Sequence, residues 1–532
     1  MRIQQWQSTL KILQFTGLAF LIASLPLSNL LMSIATFWLV GVWLLELSTD
    51  LFLGMKPKHR MRRFTGNLNA KLLSGLFLLP LIGLLWTEDF AYAQWDLRMK
   101  LPLLLLPFIL TTIDPISDRS YRALLGIFIL SLTFSVTWCL LIYWHINPKP
   151  FQDVREISVF ISHIRFSLLI VLGLCIVFIE AWDKPFGKTF ALLISLPFLY
   201  FLYIVASMTG IIVLSCIILL AILHLSFKTK NEAVKWMLLS SLFVLPLSGF
   251  LVLRSSYLTY FTVPANDWND LEKTSAGGEV YDHNPQYRAV ENGHYVMTYV
   301  AWGELYDGWH HRSAIHPDSL DGRGHILKGT LIRYLSSKGL RKDLAGIQQL
   351  TDEDVKAIES GVPVFHENEK TGLRKRLDNI YFELANYRAG GNPSGHSVFQ
   401  RFEFWKTAIH IIADHPMIGV GTGDVKQSFI EKYEEMNSLM DHTHRLRAHN
   451  QYLTFWLTFG IFGVIYFISL LVVPVIRNRK NILFLAFMII AAMSFLTEDT
   501  LESQAGVTFF AFFFIFFTLK RKLNPATLRR VK

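Results

Sequence analysis

Long apolar runs separated by short polar turns dominate this chain. A helix needs about 20 mainly apolar residues to cross the hydrocarbon core of a bilayer, and the pattern predicts about twelve such spans. They fall at 10–28, 30–48, 71–87, 97–113, 120–145, 160–181, 188–206, 208–227, 235–254, 449–475, 481–497 and 503–519. The long interruption runs from 255 to 448. A passive connection does not reach that length, so this loop is expected to be functional or a small domain. Thr351 followed by Asp352, Glu353 and Asp354 reads as a helix start with acidic residues where the macrodipole favours them. Phe399, Phe402, Lys406, Ile409 and Ile412 trace one side of a second helix, ended by His415-Pro416. A stretch rich in Gly, Asn, Pro and Ser, from Arg388 to Gly395, separates that helix from what precedes.

Charge sets the orientation. Basic residues gather at span ends: Lys56, Lys58, Arg60, Arg62, Arg63 and Lys71; Arg477, Arg479 and Lys480; and Lys520, Arg521, Lys522, Arg529, Arg530 and Lys532. By the positive-inside rule these clusters, both termini and the turns Asp183–Lys188 and Lys228–Lys235 are expected to be cytoplasmic. Thr87–Asp96, Asn147–Ser158, the turn near Ser207–Gly210, the long loop and Thr497–Gln504 then face the other side. The N-terminal run from Leu10 to Leu31 has no evident A-x-A cleavage signal and is expected to be a retained first span.

Composition narrows the class. The composition, 52% hydrophobic and 17% charged residues, argues against an ordinary soluble multidomain protein and for a membrane class. The net charge of +10 reflects the span-end clusters. A basic groove interleaved with stacking aromatics is absent, which argues against nucleic acid. Cys139, Cys175 and Cys216 all lie in apolar segments, so the long loop has no thiol for a disulfide or a zinc site.

The densest chemistry is His442-Thr443-His444-Arg445-Leu446-Arg447-Ala448-His449-Asn450, where the loop re-enters the membrane. A neutral imidazole can take a proton from a sugar hydroxyl, and a guanidinium can grip phosphate through two parallel hydrogen bonds. Those capacities suit transfer of a group from a phosphorylated donor. Anionic headgroups are the alternative partners for Arg445 and Arg447, and a metal held by His442, His444 and His449 is another reading. Gly419-Val420-Gly421-Thr422-Gly423-Asp424 follows a helix and a proline rather than a strand, so a tight turn fits better than a nucleotide site. Arg165, in Ser162-His163-Ile164-Arg165, enters an apolar run where a charge needs a partner or a task, snorkelling being the alternative. Glu498, Asp499 and Glu502 offer acid–base carboxylates on the same side, or are solvated loop charges. Tyr295, Tyr299, Trp302, Tyr306 and Trp309 either stack sugars or pack a small core.

Arg401-Phe402-Glu403-Phe404-Trp405, then His415-Pro416-Met417-Ile418-Gly419-Val420-Gly421-Thr422-Gly423-Asp424, then His449-Asn450-Gln451-Tyr452-Leu453 before a span with Gly460 and Gly463 form a composite pattern. Through it the chain resembles the O-antigen ligase and polymerase family of bacterial envelope glycosyltransferases, most strongly over 395–465. The resemblance implies an all-α polytopic inner-membrane protein with its large, mainly helical loop in the periplasm. It would divide into an N-terminal membrane region (1–254), a periplasmic cap (255–448) and a C-terminal membrane region with a basic tail (449–532). It implies a metal-independent transferase without a cofactor, taking its glycan from a polyprenyl-pyrophosphate donor. By that analogy His449 would activate the acceptor hydroxyl and Arg401 would bind pyrophosphate; His444, Asn450, Glu498 and Asp499 are supporting candidates on their own chemistry. Family members often carry an arginine in a short S-R-x-G segment, but here it reads Ser207-Met208-Thr209-Gly210. Arg165, or else Arg447, is expected to supply the missing guanidinium. The acceptor is the lipid A core in a ligase, the favoured reading, the growing glycan in a polymerase, or a protein hydroxyl in an O-oligosaccharyltransferase. A lipid-linked-glycan transporter is the competing class, but it would place ionisable groups near the midplane, often in two similar halves; the polar groups here gather at one face.

Overall fold

The computed structural model describes residues 2–55, 58–151, 153–181, 187–262, 268, 270–365 and 372–519. Lys56, most of the Asp183–Lys188 turn and the basic tail from Lys520 onward lie outside the described residues. The described chain is mainly helical, with almost no strand. Its one sheet among those residues is a hairpin of Val290–Glu291 and His294–Tyr295, turned at Asn292 and Gly293, both at positive φ.

Among the described residues eight helices are long and apolar enough to cross a membrane: Asn29–Phe52, Leu68–Trp86, Asp118–Tyr143, His163–Glu180, Gly187–Val205, Met208–Lys228, Glu232–Phe261 and Gln451–Arg477. Each overlaps an expected span. The remaining expected spans are helical too, but shorter or more polar. Arg2–Ser24 carries several glutamines and Lys11 in its first half. The 97–113 segment is split between Phe90–Lys100 and Pro102–Thr112, because Pro102 has no N–H to continue the ladder. Ile482–Thr497 and Gln504–Phe516 are apolar and short.

The chain forms two compact units. The first comprises Met1–Ile218, Phe404–Ser438 and Arg445–Lys532. Every residue from Ala505 to Phe516 is buried there, as expected of a helix that is hydrophobic all round and enclosed by others. The second comprises Leu219–Glu403 and Leu439–His444. Its core gathers Trp309, Leu331, Leu335 and Ile358, each at 0% exposure. Trp309, whose indole N–H donates to the Ile315 carbonyl at 2.9 Å, is therefore core rather than a sugar platform. The expected helix start at Thr351 is a complete capping box with Asp354.

One backbone feature of the first unit explains the glycine-rich run. The Gln451–Arg477 helix breaks at Gly460, φ +65°. The chain from Pro416 to Gly421 supplies partners at the break: Val420 N–H donates to the Leu457 carbonyl (2.9 Å), Gly421 N–H to Thr458 (3.0 Å), and Ile461 N–H to Pro416 (3.0 Å). Inside a bilayer such groups have no water to turn to, so the protein must satisfy them itself. Gly419 and Gly460 sit where the two backbones touch. A Cβ on Gly460 would strike the Met417 carbonyl, and one on Gly419 the Thr458 carbonyl. Gly423 N–H is used as well, donating to Thr87 Oγ1 at 2.8 Å. The run is thus a clasp for a broken helix, with the amides of Gly419, Val420, Gly421 and Gly423 engaged by protein. Gly460→Ala is expected to destabilise the protein by at least about 1–3 kcal/mol, the cost of a non-glycine residue held in a left-handed conformation. The thermal midpoint in detergent reads this, and an unchanged midpoint would show that the clasp is not required.

Candidate active site

The first unit brings most of the candidate residues together where Gln451–Arg477 begins. Asn450 is its N-cap: Oδ1 accepts from the N–H groups of Tyr452 (3.0 Å) and Leu453 (3.1 Å), while Nδ2 donates to the Leu496 carbonyl at 3.2 Å. The polar residue after the histidine therefore starts the helix and ties it to the end of Ile482–Thr497. His449, just before the cap, is held at φ +45°. A non-glycine residue there costs energy and persists only when its surroundings fix it. Two contacts do so. His449 N–H donates to Asp499 Oδ2 at 3.0 Å, and its ring stacks on Phe404 at 5.4 Å between centroids.

The imidazole lies against a second carboxylate. Nδ1 is 3.9 Å from Glu498 Oε2, too far for a hydrogen bond but close enough to tighten into one. Nδ1 makes no hydrogen bond among the described residues. With the ring one-third exposed, a proton on Nδ1 facing Glu498 leaves Nε2 to accept one from a bound hydroxyl. Asp499 also accepts from Thr454 Oγ1 at 2.7 Å. Burial raises its carboxyl above the usual range, against the pull of Arg447 and His449.

Beneath these residues lies a buried ion cluster that the sequence did not announce. Glu502 Oε2 accepts from Lys100 Nζ at 2.9 Å and from Arg447 at 3.4 Å, and its Oε1 from Gln451 Nε2 at 3.2 Å. Lys100 also donates to both oxygens of Asp96, at 2.9 and 2.7 Å. Arg447 donates to the Tyr92 hydroxyl at 2.8 Å. The Lys100, Asp96 and Glu502 side chains are only 3–4% exposed, so Glu502 is no solvated loop charge. Burial alone would raise Glu502, but Lys100 and Arg447 outweigh it and hold the carboxyl at about 2. The available signal was Asp96 and Lys100 four residues apart at the edge of an apolar run, a pair spaced to meet on one helix face.

Arg165 opens the His163–Ala181 helix. It makes no hydrogen bond or ion pair among the described residues, and Glu498 is the charge that acts on it. The next turn packs on the segment where the family's arginine is lacking: a Cβ on Gly210 would lie 2.7 Å from Ser167 Cβ. Thr209 Oγ1 is 3.4 Å from Thr497 Oγ1, beside Glu498. Two candidates belong to the second unit. Arg401 donates there to the Ser397 carbonyl at 2.7 Å, and His444 Nδ1 is 3.2 Å from Thr443 Oγ1 and 3.8 Å from Asp441.

Residues 371–468 match the family model described as O-antigen ligase. An uncharacterized protein of Haemophilus influenzae is 27% identical over 126 residues, 24% of this chain. The likeness spans 31% of that relative's length. The match encloses the arginine, glycine-clasp and His449-Asn450 motifs, and with eight helices among the described residues long and apolar enough to cross a membrane, the chain is a multi-pass membrane protein whose residues 371–468 are similar to the O-antigen ligase family.

Proposed function

We propose that the chain transfers a glycan from a polyprenyl-pyrophosphate donor to an acceptor hydroxyl at the periplasmic face of the bacterial inner membrane. The lipid A core is the favoured acceptor. The observation that carries this reading is His449: strained in backbone, stacked on Phe404, one-third exposed and with its Nδ1 beside Glu498. In the reaction the acceptor oxygen gives its proton to His449 Nε2 and attacks the anomeric carbon. The bond from that carbon to the phosphate oxygen breaks, and the pyrophosphate leaves with the electron pair. Such a leaving group needs little acid help, so charge stabilisation by guanidinium groups supplies most of the catalysis. Holding the lipid tail in the bilayer makes the encounter local.

Arg165 is the guanidinium assigned to the leaving pyrophosphate. Arg447 is committed to Glu502 and Tyr92 and serves to position the loop; Arg401 is the further donor-binding arginine. Purified protein supplied with a lipid-pyrophosphate-linked glycan and each acceptor in turn tests the reading, and absence of transfer to every acceptor class would overturn it. In the same assay Arg165→Ala is expected to lower turnover about 10- to 100-fold, the loss of a charge-assisted contact of roughly 1.5–3 kcal/mol. Met208→Arg in the Arg165→Ala background should restore part of it. Full activity in the well-inserted single variant would remove Arg165 from the site.

A further inference from the structure

The second unit holds an unassigned cleft on its most exposed helix. No residue of Glu232–Phe261 is buried, and Trp236, Phe243, Val244, Leu245, Phe250, Leu251 and Val252 are all open along it. Lipid is the solvent for such a surface. Roughly 28 Å of helix separates Lys235 from Arg254 at 1.5 Å per residue, close to the ~30 Å of a hydrocarbon core. Arg254 therefore lies at headgroup depth when Lys235 lies at the opposite one.

Around Arg254 a cleft of about 670 Å³ is lined by Leu251, Ser255, Leu258, Thr259 and Thr262. These positions recur at three- and four-residue steps, so they form one stripe along the helix. Its upper part is hydroxyl-rich and its flanks are leucines. Lys235 has Glu232 as counter-ion at 3.4 Å, whereas Arg254 has no hydrogen-bond or ion-pair partner among the described residues. Thr262 Oγ1 is occupied, donating to the Leu258 carbonyl at 2.6 Å.

We propose that this end of the helix binds the phosphate of an anionic phospholipid, through the Arg254 guanidinium and the hydroxyls of Ser255 and Thr259, with the acyl chains along Leu251 and Leu258. One guanidinium matches the single charge of a phosphodiester, and a planar fork suits its two free oxygens. A zwitterionic lipid is held less well because its own ammonium offsets the phosphate. The same helix end is bolted to the extramembrane core. Tyr381 packs against Tyr257, Tyr260 and Phe261 at 5.7, 5.3 and 6.1 Å, and the Tyr260 hydroxyl donates to the Val290 carbonyl at 2.6 Å. A lipid on Arg254 thereby anchors the base of that core at the membrane surface. This inference rests on the membrane span and not on glycan transfer.

The test is retention of phosphatidylglycerol against phosphatidylcholine by the full-length protein, read by native mass spectrometry after delipidation and equimolar add-back. Wild-type protein should prefer phosphatidylglycerol, and Arg254→Gln should lose that preference by about fivefold, the worth of one basic residue at an anionic surface. Arg254→Lys, which keeps the charge but loses the planar fork, should fall between wild type and Arg254→Gln, and if the glutamine variant does not fold, an undiminished preference in the lysine variant overturns the proposal. Equal retention of the two lipids by wild type, or an undiminished preference in Arg254→Gln, would overturn the proposal. Displacement of the bound lipid by polyprenyl pyrophosphate but not by excess phosphatidylglycerol would overturn it too, by giving the cleft to the donor.

Discussion

His449→Ala is expected to lower glycan transfer by about 10²–10⁴-fold, the usual worth of a positioned general base, while leaving the donor bound. The local architecture makes the variant informative. The backbone at His449 is held by its own N–H on Asp499, and the following Asn450 caps the helix through its side chain. Neither contact uses the imidazole. The stacking against Phe404 is lost, at about 0.5–1.5 kcal/mol, so the protein should remain folded. A structural role for the ring would appear as a fall in thermal midpoint in proportion to lost activity. A chemical role appears as lost turnover with the midpoint nearly kept and the KM for donor little changed. Near wild-type turnover in the folded variant would assign proton transfer to another group, and Glu498, 3.9 Å from Nδ1, would be the first to examine.

What the sequence made legible followed from local rules. Eight expected spans correspond to helices long and apolar enough to cross, because twenty apolar residues in a row leave few other solutions. The Thr351 capping box and the helix ended by His415-Pro416 were readable from side-chain chemistry within a few positions. The glycine run was recognisable as a turn, but its purpose was not. The clasp depends on the break at Gly460, about forty residues on, and a helix break inside an apolar run leaves no mark except the glycine itself. Lys100 shows the same limit. Its Asp96 partner lies one turn away, but the pairing that gives it a role is with Glu502, four hundred residues distant. Arg165 was singled out because a charge in an apolar run is costly. That the following turn packs on Gly210, beside the vacant arginine position, is a fact of tertiary structure.

Glu502→Gln is expected to cost about 3–5 kcal/mol of stability, since removing one partner of a buried ion cluster strands the others. Lys100 would keep Asp96, Arg447 would be left with the pull of Asp499, and the loop bearing Glu498 and Asp499 would lose its tie to Arg447 while keeping the Leu501 N–H bond to Gln451. Transfer activity should fall with stability, because the loop positions His449. The charge origin has a pH signature. Glu502 is held at about 2 against a usual 4.5. A carboxylate lowered in the folded state stabilises fully above its unfolded value and loses that contribution as pH falls through the folded one. The gap in thermal midpoint between wild type and Glu502→Gln should therefore narrow as pH falls from about 4.5 to 2. Removing the cation as well supplies the control. Arg447→Met combined with Glu502→Gln, which leaves the buried Lys100–Asp96 pair intact, should recover much of the loss, and the coupling between the two sites should exceed about 1 kcal/mol because they touch. If the two changes merely add, with no narrowing of the gap in acid, the cluster is held by packing and the charges at the base of the site do not position its loop.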